Sequence, residues 1–163
     1  MTSLPASLLA ASLLAFAHPA SAATPLHSLA EIERALDTGA TVAVAVDLSQ
    51  CTPASAGATP TQTRGGLRIG AYRVIADGTL SFADEHFTVG RDGKPIQQFL
   101  RYQVRPDGSI DFTMAVFALP GYQQIGATLG YRCAIDQGLH FTAPTEGRRC
   151  ARRRHGARRP ACA

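Results

Sequence analysis

The 163-residue chain contains neither tryptophan nor asparagine. Neither absence excludes a fold, and together they fit a strongly biased coding genome. A second long apolar run is also missing. The one present, Leu8 to Ala17, is about ten residues long, whereas a bilayer-spanning helix needs about 20. It is followed by Ala20-Ser21-Ala22, the small-x-small pattern a signal peptidase accepts. This predicts a secretory signal over residues 1–22, cleaved after Ala22 or Ala23, although the residues ahead of the run include no Lys or Arg. An N-terminal core helix is the alternative, and it would need a polar face that this run lacks. With no transmembrane segment after cleavage, the chain is expected to be exported, either periplasmic or extracellular, where disulfides persist.

Sequence signatures of catalysis and of metal binding are missing too. There is no GxSxG nucleophile elbow, and Arg64-Gly65-Gly66 is not followed by the GKS or GKT of a phosphate loop. His27, His86 and His140 are scattered, and no HExxH or CxxC spacing occurs, so neither a metal nor a cofactor is expected. Ser49, Ser81 and Ser109 read as ordinary strand and turn serines.

Charge is unevenly distributed. The chain carries 16 basic and 12 acidic residues. Seven of the arginines, 148, 149, 152, 153, 154, 158 and 159, fall in the closing RRCARRRHGARRPACA. Without them nine basic residues face 12 acids, and the body is slightly acidic. A body that grips nucleic acid would carry its own basic stripe, so no specific nucleic-acid partner is expected. The tail, 147–163, lacks hydrophobic periodicity and is expected to be disordered. It is either a lineage-specific extension or a frame-shifted read-through, with affinity for polyanions at most. Its Cys150 and Cys162 bridge each other or stay reactive.

Between these ends lies a domain expected over 23–146. After a short linker, Ala23 to His27, SLAEIERALDTG offers Ser28 as N-cap with Glu31 three residues on, a capping box. Leu29, Ile32 and Leu36 fall on one face and Gly39 offers a stop, so one helix is predicted over Leu29 to Thr38. The remainder reads as β. Seven strand candidates follow: TVAVAVDL, LRIGAYRVI, TLSFADEHFTV, IQQFLRYQV, SIDFTMAVFAL, ATLGYRCAI and LHFTA. A Pro/Ala/Gly/Thr-rich loop, Thr52 to Thr63, separates the first two. Asp77-Gly78, Asp92-Gly93 and Asp107-Gly108 recur every fifteen residues and suit tight hairpins, and Asp136-Gln137-Gly138 is expected to close a fourth. The fold class is therefore mainly β (α+β): one N-terminal helix and a curled antiparallel β-meander or small barrel of about seven strands. Apolar positions change parity twice, at Gly70 and across Ala83-Asp84-Glu85-His86, which predicts a bulge or bend at each.

Cys51 ends the first strand, and Cys133 lies on the inward face of the sixth with Leu129, Tyr131 and Ile135. They are expected to form a structural disulfide, the alternative being a buried free thiol at Cys133. Asp84-Glu85-His86 is the best polar cluster. On a regular strand Asp84 and His86 share a face, making a carboxylate–imidazole pair suited to general-base work. No nucleophile is tied to it by sequence, and a solvated local ion pair is the simpler reading. Phe99, Tyr102, Phe112, Phe117, Tyr131 and Phe141 suit a stacking platform for bases, but their alternation with polar residues favours core packing. Gln97-Gln98 and Gln123-Gln124 have no definite role.

The blocks VAVAVDLSQC, TRGGLRIGAYRV, GTLSFADEHFTVGRDGKPIQQFLRYQVRPDGSIDF and YRCAID, in that order, resemble the VirK family of exported bacterial proteins. The resemblance covers Leu29 to Ala143 and includes both body cysteines. It implies export and an accessory, virulence-linked role in host interaction. It implies no reaction and brings no catalytic residues, and a family member would stop near Glu146. The expected function is a secreted, disulfide-stabilised, non-enzymatic binding protein, monomeric, for an extracytoplasmic protein, glycan or small ligand. The alternatives are a secreted hydrolase using His86 as general base and polyanion binding through the tail.

Overall fold

The computed structural model describes residues 23–145. The expected signal segment and the arginine-rich tail, with Cys150 and Cys162, lie outside the described residues. Eleven strands are found among the described residues, more than the seven expected: β1 Ala23–Leu26, β2 Ala43–Asp47, β3 Thr52–Pro53, β4 Arg64–Arg68, β5 Tyr72–Val74, β6 Leu80–Val89, β7 Pro95–Val104, β8 Ser109–Ala118, β9 Gln123–Gln124, β10 Leu129–Ile135 and β11 Gly138–Pro144. Eight follow one another across a curled half-barrel sheet in the order β4-β2-β11-β10-β8-β7-β6-β5, while β1, β3 and β9 pair with β11, β10 and β8. The supernumerary strands are too short to show alternation. The expected linker at 23–27 is β1, and the loop after Cys51 opens with β3.

Helix α1 spans Leu29–Asp37 and buries Leu29, Ile32 and Leu36. The Ser28 hydroxyl accepts the Glu31 N–H as expected. Glu31, however, reaches one residue further back than a capping box does, and takes the His27 N–H at 2.7 Å. Gly39, at φ 78°, follows the C-cap Thr38.

The three Asp-Gly turns place Gly78, Gly93 and Gly108 at φ 79–80°, where a side chain would be strained. Each aspartate accepts the backbone N–H two residues on, at Thr79, Lys94 and Ser109. The Thr79 N–H holds the Asp77 carboxyl below its ordinary range, and the Ser109 hydroxyl leads the same effect at Asp107. These turns set the register of a true meander through β5, β6, β7 and β8, which β10 continues.

The fourth expected hairpin is not one. After β10 the chain coils through Asp136 (φ 64°) and Gly138 (φ 91°). It then runs on parallel to itself, pairing Ala134 with Gly138 and Ile135 with Leu139. Strand β11 takes its antiparallel partners from β1 and β2 instead. A Cβ on Gly138 would lie 2.3 Å from the Cys51 sulfur, so only glycine fits this corner. There Cys51 and Cys133 are joined in a disulfide, with Cα atoms 4.6 Å apart.

The expected break at Gly70 is more than a bulge. Residues on either side of it belong to opposite ends of the sheet order, β4 pairing with β2 and β5 with β6. One bent segment thus ties the two margins of the half-barrel together. The expected break at 83–86 is absent, since β6 pairs with β7 without interruption from Leu80 to Val89. Its apolar parity inverts because the strand leaves the core. Phe87 and Val89 point outward and are 71% and 60% exposed.

Candidate functional site

Register stacks the inward side chains in layers, as in barrels generally. The lowest is Leu80, Val104, Ile110 and Cys133, opposite one another on four successive strands and all buried. Above it runs an aromatic belt, Phe82-Tyr102-Phe112-Tyr131. The Phe82 and Tyr102 rings stack at 4.8 Å, and Tyr102 and Phe112 lie 5.1 Å apart. The third layer is Asp84, Leu100, Met114 and Leu129; the fourth begins His86, Gln98 and Val116. Helix α1 is tied to the opposite end of this stack. Tyr72 donates its hydroxyl to Asp37, and His27 meets Asp136 at 2.7 Å, a contact that raises the His27 pKa.

Above the belt the layers do not fill the space. A cavity of about 410 Å³ is floored by Tyr102, Phe112 and Tyr131 and walled by Leu100, Met114, Leu129, Val46 and Leu48. This volume lies in the usual range for small-molecule sites. The mouth is polar: Asp84, His86 and Gln98 stand on one side, and Arg64 with Thr59, Thr61 and Thr63 on the other. It opens between two strand margins. Among the described residues, β6 has no neighbour on its β5 side beyond Phe82, and β4 is paired only with β2. The loop before β4 is held over the cavity by the Tyr131 hydroxyl, which donates to the Thr59 carbonyl at 2.9 Å.

Strand alternation divides the Asp84-Glu85-His86 cluster. Asp84 and His86 share the inward face, with His86 Nε2 3.0 Å from Asp84 Oδ2. Glu85 faces outward and accepts from the buried Gln97 amide. Burial pushes the Tyr102 phenol pKa well up, and the Asp84 charge adds to this. Arg64 is anchored across the mouth, its Nε 3.0 Å from Asp47 Oδ2. Asp47 in turn receives the Ser49 hydroxyl, which leads in holding its carboxyl below the ordinary range, and the Gln50 amide. Among the described residues no serine or cysteine lines the cavity.

Of the six aromatics assigned to the core, Tyr102, Phe112, Tyr131 and Phe141 are buried. Phe99 and Phe117 lie on the outer face, edge to face at 5.5 Å, because their positions alternate with those of the inward layers. The scattered His27 and His140 both approach Asp136, at 2.7 and 3.6 Å. Among the described residues no group of three or more His, Cys, Asp or Glu is placed to hold a metal ion, and no helix is long and apolar enough to cross a membrane. Sequence reading missed Arg64, Gln98 and the cavity itself.

Residues 25–122 match the family model for VirK protein. An uncharacterized protein in the pinF2 3′ region of Rhizobium radiobacter is 56% identical over 131 residues, covering 78% of this chain and 90% of its own. The uncharacterized protein y4wH of Sinorhizobium fredii is 54% identical over 129 residues, covering 77% of this chain and 89% of its own. The crystal structure of lpg1832, a VirK family protein from Legionella pneumophila, superposes with a TM-score of 0.64 over 72% of this chain and 97% of its own, at 20% identity; that likeness concerns the fold. With residues 25–122 matching the family model and more than half of the aligned residues identical in two relatives, the chain belongs to the VirK family.

Proposed function

We propose that this VirK family member is an exported, disulfide-stabilised binding protein without catalytic activity, and that the half-barrel cavity is its ligand site. Its place is the periplasm or the medium, and its role is an accessory one in host interaction. In this reading residues 1–22 are the signal, residues 23–146 the binding domain and 147–163 a tail outside it. The cavity carries the proposal: an apolar, aromatic-floored space of about 410 Å³ with a polar mouth has the make-up of a small-ligand site. The Cys51–Cys133 disulfide and the family support export, since such bonds persist in oxidising compartments.

Methionine supplies the test. The chain has two, Met1 and Met114, so in protein starting at residue 23 a 13C-labelled methionine methyl reports on the cavity wall alone. Titration with 2-phenylethanol is expected to shift that signal saturably, and Leu129→Trp, which fills the cavity, should abolish the response. A methyl unmoved in wild-type protein by 2-phenylethanol and equally by its amine, acid and amino-acid counterparts overturns the proposal.

One observation favours a second reading, a hydrolase with His86 as general base: the 3.0 Å His86–Asp84 pair at the cavity mouth is the orienting contact such a base needs. Water would be the nucleophile. Wild-type protein should then hydrolyse p-nitrophenyl butyrate faster than free imidazole does. His86→Ala should abolish this while changing stability by less than about 1 kcal/mol. Equal hydrolysis by both proteins removes the reading.

A further inference from the structure

The two sides of the mouth carry opposite charges, each in one ion-pair contact and each with atoms to spare. On β4, Arg64 pairs through Nε with Asp47 at 3.0 Å, and among the described residues its two terminal nitrogens have no other partner. A guanidinium edge of this kind suits a carboxylate. On β6, Asp84 gives Oδ2 to His86, and among the described residues its second oxygen has no partner. That oxygen suits a charged N–H donor. Below both groups lies the aromatic floor of Tyr102, Phe112 and Tyr131. A cavity of about 410 Å³ has room for on the order of a dozen non-hydrogen atoms, judged from a liquid-water volume of roughly 30 Å³ per molecule.

A simple fatty acid would leave Asp84 facing an anion, and a simple amine would leave Arg64 facing a cation. A zwitterion satisfies both. Resting on the cavity as ligand site, we propose that the ligand is a free apolar α-amino acid: its carboxylate lies on Arg64, its ammonium on Asp84, and its side chain among the belt aromatics. Gln98, beside His86, is a further hydrogen-bonding group at the same mouth.

The test uses four probes with the same ring and the Met114 methyl as reporter: L-phenylalanine, 3-phenylpropionate without the ammonium, phenethylamine without the carboxylate, and 2-phenylethanol with neither. L-Phenylalanine is expected to bind at least ten-fold tighter than any of the other three. Arg64→Gln should reduce its affinity to that of phenethylamine, and Asp84→Asn to that of 3-phenylpropionate. Arg68→Gln, on the same strand but outside the cavity lining, should leave the ten-fold preference intact. If 3-phenylpropionate or phenethylamine binds as tightly as L-phenylalanine, the zwitterion inference falls while the cavity stands as a ligand site. If no probe moves the methyl, both fall.

Discussion

Gly138→Ala is expected to destabilise the protein by more than about 3 kcal/mol, lowering the melting temperature by on the order of 10 °C. Two costs combine. An L residue at φ 91° pays roughly 1–2 kcal/mol for the left-handed backbone. The added methyl would also stand 2.3 Å from the Cys51 sulfur and 3.3 Å from the Cys133 Cβ, so the disulfide or the corner must move. Gly93→Ala separates the costs. Gly93 has φ 79° and nothing within 4 Å of an added Cβ, so it should lose only the backbone part. Thermal unfolding of both variants measures the difference, and equal losses would show that the sulfur contact is harmless.

Removing the disulfide, as Cys51→Ala with Cys133→Ala, is expected to cost about 4 kcal/mol. The link spans 82 residues of sequence, and closing so long a loop restricts the unfolded chain strongly. Neither cysteine is expected to stay reactive in the native protein, because they are paired. The two predictions are coupled. Without the Cys51 sulfur, Gly138→Ala loses its worst contact, so the triple variant should be more stable than the sum of the separate losses implies, by at least about 1 kcal/mol. Denaturant unfolding of the four proteins gives this coupling directly. Strict additivity would mean that the strain at 138 is backbone alone.

Much of the meander was legible because its turns are explicit. Three Asp-Gly pairs fifteen residues apart set the pairing sums, and these sums place Phe82 opposite Tyr102 and Tyr102 opposite Phe112. The same arithmetic puts Asp84 and His86 on the inward face above that belt. In the sequence the parity change at 83–86 reads as a bulge or bend, because alternation alone carries no sign of a polar inward face. It is the signature of a strand passing from core to cavity mouth. The helix was legible from Ser28, Glu31 and the Leu29-Ile32-Leu36 stripe. The corner at 136–138 was not, since Asp-Gln-Gly reads equally as a hairpin, and only the sulfur packed against Gly138 shows otherwise. Nor was Arg64: its role depends on β4 and β6 standing across one opening, which follows from the sheet's curl and not from any local pattern.

The disulfide also has a topological consequence. Between Cys51 and Cys133 the backbone is covalently a ring, and it contains the meander and every residue of the cavity mouth. The two arms leaving that ring, β2 with its preceding helix on one side and β11 on the other, are zipped together by the β1–β11 and β2–β11 ladders. A single protease cut anywhere in the ring, the long loop beside the mouth included, therefore opens the ring without releasing a fragment. Outside a reducing cytoplasm, a nicked molecule would gain only the mass of the one water consumed by the cut and would keep its paired arms.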